Sequence, residues 1–321
     1  PVPTRPALPH RPAEWTLETN PETVDADFGA RLRSTPFRRV SLGVQSFRQE
    51  LLDQLDRRVD AGAIGRALDR LRPHVSRLSI DLIFGIPGQS AAQVRDDVRQ
   101  AVALGTEHVS FYQLTLKPGH RLYSQLPSDD ESAALYDVGL TTLSGGGFDR
   151  YEVSNFARPG GLCRHNWLYW SGGDYVGIGP SASSRVFDEG VFAHRKSFAD
   201  WSKWLRSVVG DESDPPFDRS TPWQTVLEAL LSELRSPIGV AADAFANRYR
   251  WPLDASPAFE SLVREGLLRS GDDGRGVRRI APTARGVLLA DALAEALAPS
   301  AAAFAARNGE RSPLHASDAR R

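Results

Sequence analysis

Methionine is missing from all 321 residues, position 1 included, and cysteine occurs once, as Cys163. A single thiol excludes a disulfide framework and any metal site needing several thiolates from this chain, and it fits a reducing compartment. Lysine is confined to Lys117, Lys196 and Lys203 against many arginines, which reads as codon bias rather than function. An excess of one charge is lacking too. The formal net charge is −1, so no basic field points to nucleic acid. No apolar run reaches the length of about 18 residues that spans a bilayer, and the opening residues lack the charged-then-apolar order of a secretion signal. These absences predict a cytoplasmic protein that neither spans a membrane nor binds nucleic acid.

What is present suffices for a large core. With 41% apolar residues the chain can fill two domains. The stretch Leu78 to Ser90, LSIDLIFGIPGQS, organises the rest: Ile80, Leu82, Ile83 and Phe84 read as a strand apolar on both faces, with Asp81 set inside it. A buried carboxylate costs several kcal/mol, roughly, unless a partner or a polar ligand meets it. Further strands are expected at Glu14 to Thr19, Arg39 to Gln45 and His108 to Thr115, alternating with helices at Gln49 to Arg57 and Gly62 to Val75. Two capping boxes, Ser90 with Gln93 and Ser128 with Glu131, open the next helices. Strand–helix alternation of this kind predicts a parallel sheet with helices outside. Each strand carries a polar residue, namely Glu18, Gln45, Asp81, and Tyr112 or Gln113. Four in succession point to a ligand pocket at the strands' carboxyl ends.

From Phe148 the pattern changes to glycine and aromatics with little periodicity. Trp167, Tyr169, Trp170 and Tyr175 crowd around Cys163, His165 and Asn166. His165 reads either as a hydrogen-bonded loop histidine or as the axial ligand of a flat macrocycle. Ser197 to Val209 is an amphipathic helix, and Gly210 to Ser220 an Asp- and Pro-rich linker. The remainder has the α–α–β–β–α order of a winged helix, but Asp272, Asp273, Glu260, Glu265 and Asp291 offset its arginines, which favours a packing domain over DNA binding. The domain reading is a linker over 1–13, a barrel over 14–147, the Gly/aromatic segment over 148–210, the winged-helix-like domain over 221–298 and a disordered tail over 299–321.

TLE with NP (Thr16 to Pro21), SLGVQSF (Ser41 to Phe47), IDLIFGIPGQ (Ile80 to Gln89), YEVSNFARPG (Tyr151 to Gly160), CRHNWLYW (Cys163 to Trp170) and GDYVGIGP (Gly173 to Pro180) occur in that order. The set resembles the haem chaperone HemW family, radical S-adenosylmethionine (SAM) proteins related to oxygen-independent coproporphyrinogen III oxidase. The resemblance implies an α/β fold: a partial (βα)6 TIM-like barrel, here with four of six strands, followed by the small winged-helix-like α+β domain. It implies SAM contacts at Glu18, Gln45, Arg57 and Asp81, and a haem-binding HNxxYW motif at His165, Asn166, Tyr169 and Trp170, with His165 as the iron ligand. Haem, SAM and a [4Fe–4S] cluster are the family's cofactors, and haem-accepting respiratory membrane proteins its partners; a homodimer is one assembly open to it. The family's CxxxCxxC cluster loop has no counterpart here, which reads as an amino-terminally truncated member without radical chemistry of its own. Ser181, Ala182 and Ser183 stand where the family often carries a GAH run. The alternative function is a radical SAM enzyme of the coproporphyrinogen III oxidase type.

Overall fold

The computed structural model describes residues 14–57 and 59–309 of the chain. The expected linker over 1–13 and the end of the expected tail, 310–321, lie outside them. The chain divides into two compact units that meet in sequence between His165 and Asn166.

The amino-terminal unit runs β1 (Thr16–Thr19), α1 (Phe28–Arg33), β2 (Arg39–Gln45), α2 (Gln49–Gln54), α3 (Ala61–Leu71), β3 (Arg77–Phe84), α4 (Ala91–Ala103), β4 (His108–Gln113), α5 (Asp129–Gly145), β5 (Asp149–Arg150) and β6 (Asn155–Ala157), then enters α6 (Arg164–Trp170). Its sheet has the order β1-β2-β3-β4-β6-β5. The first four strands pair in parallel, with β6 antiparallel to β4 and β5 antiparallel to β6. Both expected capping boxes are present, Ser90 with Gln93 opening α4 and Ser128 with Glu131 opening α5.

The period of two sorts each strand into faces. Val40, Leu42 and Val44 of β2, Ile80, Leu82 and Phe84 of β3, and Val109 and Phe111 of β4 are buried in one cluster with Leu68 and Leu71 of α3, Val94 and Val98 of α4, and Leu135 and Leu143 of α5. Phe84 and Phe111 stack with ring centroids 4.5 Å apart. Each such side chain contributes roughly 1.5–3 kcal/mol through burial. The opposite face is polar: Ser41, Ser79, Asp81, His108, Ser110 and Asn155 share it by register. The reading of β3 as apolar on both faces is therefore corrected. Ile83 is the lone apolar residue on its polar side past Asp81, and α3, α4 and α5 pack against the other side.

Two further corrections concern length. Phe148 to Ala157 adds β5 and β6 to the sheet where little regular structure was expected; both are too short for a periodicity to register. In the expected disordered tail, α12 (Ala301–Asn308) forms, with the Ser300 side chain accepting from Ala303 N–H and Phe304 buried.

The carboxy-terminal unit comprises β7 (Ser183–Asp188), β8 (Val191–Lys196), α7 (Trp201–Val209), β9 (Asp218–Arg219), α8 (Pro222–Glu233), β10 (Val240–Ala241), α9 (Ala242–Tyr249), α10 (Phe259–Arg264), β11 (Leu268–Asp272), β12 (Arg278–Pro282), α11 (Ala290–Leu297) and α12. β9 lies inside the expected linker and pairs with β8. The expected helix, helix, hairpin and helix are present, and β10 joins the hairpin to make a three-stranded antiparallel sheet. Its core gathers Val226, Leu230, Leu234, Phe245, Trp251, Leu293 and Leu297. Among the described residues no single helix is long and apolar enough to cross a membrane.

Candidate functional site

The polar face of β1 to β4 is where the first set of candidates lies. Gly43 and Asp81 are register partners, and Ser110 is the partner of Asp81 on the other side. Ser41 Oγ donates to Asp81 Oδ1 at 3.0 Å. Burial pushes the Asp81 carboxyl above its ordinary value, the Ser110 and Ser41 hydrogen bonds oppose the push, and the nearby Glu18 charge reinforces it. Burial likewise raises the Tyr112 phenol, which shares hydrogen bonds with Ser110 and Asn155. Tyr112, rather than Gln113, is thus the β4 residue that belongs to this face.

At the carboxyl end of β2 the register shifts between Gly43 and Gln45, and Gln45 takes the left-handed φ of 69°. A non-glycine residue held there costs on the order of 1–3 kcal/mol, a strain characteristic of ligand-binding segments. Arg57 reaches the same point, Nη2 donating to Asn20 Oδ1 at 2.7 Å and to the Gly43 carbonyl at 3.1 Å. Its Nη1 lies 3.9 Å from Glu22, and its Nε is buried without a partner. A β-carbon on Gly43 would stand 2.7 Å from Asn20 Oδ1, 2.9 Å from Gln45 Nε2 and 3.3 Å from Arg57 Nη2. The three polar side chains therefore converge over a position that only glycine leaves open. Two amides and a guanidinium thus meet over Gly43, with Asp81 as its register partner on β3, a set of hydrogen-bonding groups suited to a polar ligand.

Asp97 of α4 supports this end from behind. It is 3% exposed, accepts from Ser46 Oγ at 2.6 Å and from Phe47 N–H at 3.0 Å, and so fixes the segment that follows Gln45. Nearer the amino ends of the strands, Ser79 Oγ and Tyr151 Oη flank the buried His108 ring at 2.7 and 2.8 Å. Burial, followed by the charges of Arg39 and Arg77, drives its imidazole well below the ordinary histidine range, so it is neutral at pH 7. Asn20, Ser41, Gly43 and Asp97 were not assigned roles from sequence. Asn20, Ser41 and Gly43 lie in the TLExNP and SLGVQSF motifs and Asp97 in neither, and what joins the four is visible only in the strand register and the hydrogen bonds of Asp97.

His165 lies elsewhere. It stands in the first turn of α6, exposed, and its backbone N–H points to Glu14 Oε1 at 3.4 Å. Glu14 also receives Arg77 Nη1 at 2.6 Å. Arg77 opens β3, so His165 is tied to the amino-terminal end of the parallel strands. From Arg77 to Leu82, the partner of Gln45, five steps of about 3.3 Å make roughly 16 Å. Gln45 and the backbone amide of His165 therefore lie towards opposite ends of the parallel strands, with Glu18 and Asp81 at register positions between. Asn166, Tyr169 and Trp170 follow on the same helix, half-buried. Tyr169 packs edge-on to Tyr175 at 4.6 Å, and Arg235 lies 5.4 Å over the Trp170 ring. A cavity of about 220 Å³ at the amino ends of the strands is lined by Arg72, Arg77 and Glu107, but by no HNxxYW residue, and is below the roughly 300–1,000 Å³ of small-molecule pockets. The exposed imidazole of His165 is a side chain of the kind that can hold a haem iron.

A [4Fe–4S] cluster does not fit the residues described. Cys163 is buried beside Glu14, its Sγ 3.8 Å from Oε1, and among the described residues no group of three His, Cys, Asp or Glu side chains is placed to hold a metal ion.

No family model matches the chain. Among curated proteins it is 33% identical over 298 residues to the haem chaperone HemW of Mycobacterium tuberculosis, which covers 89% of this chain and 72% of that one. It is 39% identical over 268 residues to the haem chaperone HemW of Escherichia coli, covering 79% of this chain and 64% of that one. The HemW of Synechocystis matches at 34% over 236 residues, 71% of this chain and 57% of the relative. The chain thus spans 57 to 72% of the length of these relatives. Among solved structures, coproporphyrinogen III oxidase HemN from Escherichia coli, a radical SAM enzyme, superposes with a TM-score of 0.70 over 89% of this chain and 70% of that one, at 19% identity.

Proposed function

The chain belongs to the haem chaperone HemW family and has the α/β, TIM-barrel-like fold of the radical SAM proteins, and on that premise we propose that it binds haem through His165 and passes it to haem-accepting respiratory membrane proteins. The observation that carries this reading is the HNxxYW motif on α6, with an exposed imidazole at the start of the helix and aromatic rings along the following turn. The His165 imidazole would hold the haem iron through a ring nitrogen, and Tyr169 and Trp170 would offer apolar surface to the macrocycle. Exposure suits a carrier, because a ligand held at the surface can be handed on without opening a core.

SAM is the ligand proposed for the other end of the sheet. There Arg57 would meet its carboxylate, Gln45 and Glu18 its polar groups, and Asp81, held by Ser41, a ribose hydroxyl. When a cluster-bound SAM is present in a radical SAM protein it supplies radical chemistry; this chain's own residues bind and orient. The polar cradle around Gly43 favours nucleoside binding as a second property of the same chain; the alternative activity, coproporphyrinogen oxidation, rests on the family resemblance.

Haemin titrated into the purified chain tests the first reading. A saturable Soret shift that weakens in His165→Ala supports it, and an identical shift in that variant removes His165 as the ligand. SAM cleavage to 5′-deoxyadenosine under dithionite tests the alternative, and robust turnover would revive it.

A further inference from the structure

Glu14 precedes the first strand and takes no part in the SAM end of the sheet, yet its side chain is only 8% exposed. It collects donors from three parts of the unit. Arg77 Nη1 lies 2.6 Å from Oε2, while Oε1 faces the N–H of Arg164 at 3.0 Å, the N–H of His165 at 3.4 Å and Cys163 Sγ at 3.8 Å. Arg77 completes the knot. Its Nε donates to Glu107 Oε1 at 2.6 Å, and its Nη2 to the carbonyls of Leu162 at 3.0 Å and Gly160 at 3.4 Å. The segment that leads into α6 is therefore held by its carbonyls to Arg77 and by its amides to Glu14.

We propose that Glu14 is the positioning residue of the haem ligand: its carboxylate satisfies the first free amides of α6, anchors them through Arg77 to the strand ends, and so fixes where the His165 imidazole stands. The inference rests on the haem reading of His165. The physical grounds are separate from it. The opening amides of a helix have no partner within the helix, and a carboxylate is their strongest acceptor. Glu14 meets residue 165 at its backbone N–H, and its effect on haem is proposed to pass through that amide. Glu107 serves as the internal control, since it pairs with the same arginine, whereas the amides of Arg164 and His165 are met by Glu14.

The full chain is compared as wild type, Glu14→Ala, Glu14→Gln, Glu107→Gln and His165→Ala by two readouts. The first is hydrogen–deuterium exchange of the peptide covering Arg164 and His165 without haem. The second is the Soret position and affinity on titration with haemin. Glu14→Ala is expected to speed exchange of that peptide and to weaken haemin by about tenfold, as loss of an orienting partner outside the ligand shell does. Glu14→Gln, which keeps an acceptor oxygen, should fall between Glu14→Ala and wild type. Glu107→Gln should match wild type in both readouts. Should Glu14→Ala fail to fold by circular dichroism, Glu14→Gln carries the test. If the Glu14 variants and Glu107→Gln behave alike in both readouts, the residue is merely structural and the proposal is overturned. If wild type and His165→Ala bind haemin alike, the haem reading itself fails and the proposal with it, an outcome recognised by the His165 arm alone.

Discussion

Replacing Glu233 by glutamine should make the protein's stability less sensitive to pH, and the direction follows from where the carboxyl sits. Glu233 closes α8, and its Oε1 lies beside Gly172 and the Tyr249 hydroxyl, where a β-carbon on Gly172 would stand 3.0 and 3.4 Å from them. Burial pushes its carboxyl up to about 8, against the opposing charges of Arg248, Arg185 and Arg279. The Tyr249 phenol is itself raised, first by burial and then by the Glu233 charge, with Arg248 and Arg185 opposing and Asp174 adding. A folded-state value above the unfolded one means that the folded protein keeps the proton longer. Its contribution to stability is therefore fully present below about 4.5 and is lost as pH rises towards 8. Each pH unit in that window costs the folded state about 1.4 kcal/mol, so between pH 5 and 7.5 the wild type should lose about 3 kcal/mol relative to Glu233→Gln. The assay is urea unfolding of both proteins at the two pH values, followed by tryptophan fluorescence. Trp223, Trp251 and Trp170 lie in the unit that carries the glutamate. Using the difference between the proteins cancels every other titrating group. A gap between them that is the same at pH 5 and 7.5 would refute the reasoning.

Gly43→Ala places a β-carbon among Asn20, Gln45 and Arg57, so SAM binding by isothermal titration calorimetry should be lost while the unfolding midpoint moves little; retained affinity would show that the cradle is not the ligand site. Asp97→Ala leaves the Ser46 hydroxyl and Phe47 amide without their buried acceptor and should cost about 1–3 kcal/mol in denaturant unfolding, with Asp97→Asn costing less. Gly139→Ala would put a β-carbon 2.2 Å from the Phe111 ring, forcing α5 off the sheet at a cost of about 1–3 kcal/mol; an unchanged melting temperature would contradict the close packing of α5 on β4.

The parts of the fold that could be read from sequence are those whose signal is local. Ser90 with Gln93 and Ser128 with Glu131 start α4 and α5 where reciprocal capping says they should, and the Leu68 and Leu71 spacing marks the buried side of α3. The parts that could not be read depend on neighbours distant in sequence. β3 looked apolar on both faces because Ile83 sits beside Leu82 and Phe84; only its pairing shows Ile83 on the side of Asp81. α6 had no apolar stripe to reveal it, since none of its residues is fully buried. α12 carried an alanine-rich helix signal after Ser300, a capping residue, that was overridden by its position near the end of the chain. The same division holds for the site. Glu18, Gln45, Arg57 and Asp81 stand in recognisable motifs, whereas the convergence of Asn20, Gln45 and Arg57 over Gly43 needs the strand register and a left-handed residue. The separation of His165 from that group by much of a strand length could not be foreseen, because it depends on Glu14 and Arg77 meeting across the sheet.

The most direct measurement is the absorbance spectrum of the purified chain titrated with haemin, wild type beside His165→Ala. The account predicts one saturable Soret transition in the wild type that is shifted and weakened when the imidazole is removed. Superimposable titrations of the two proteins would contradict it.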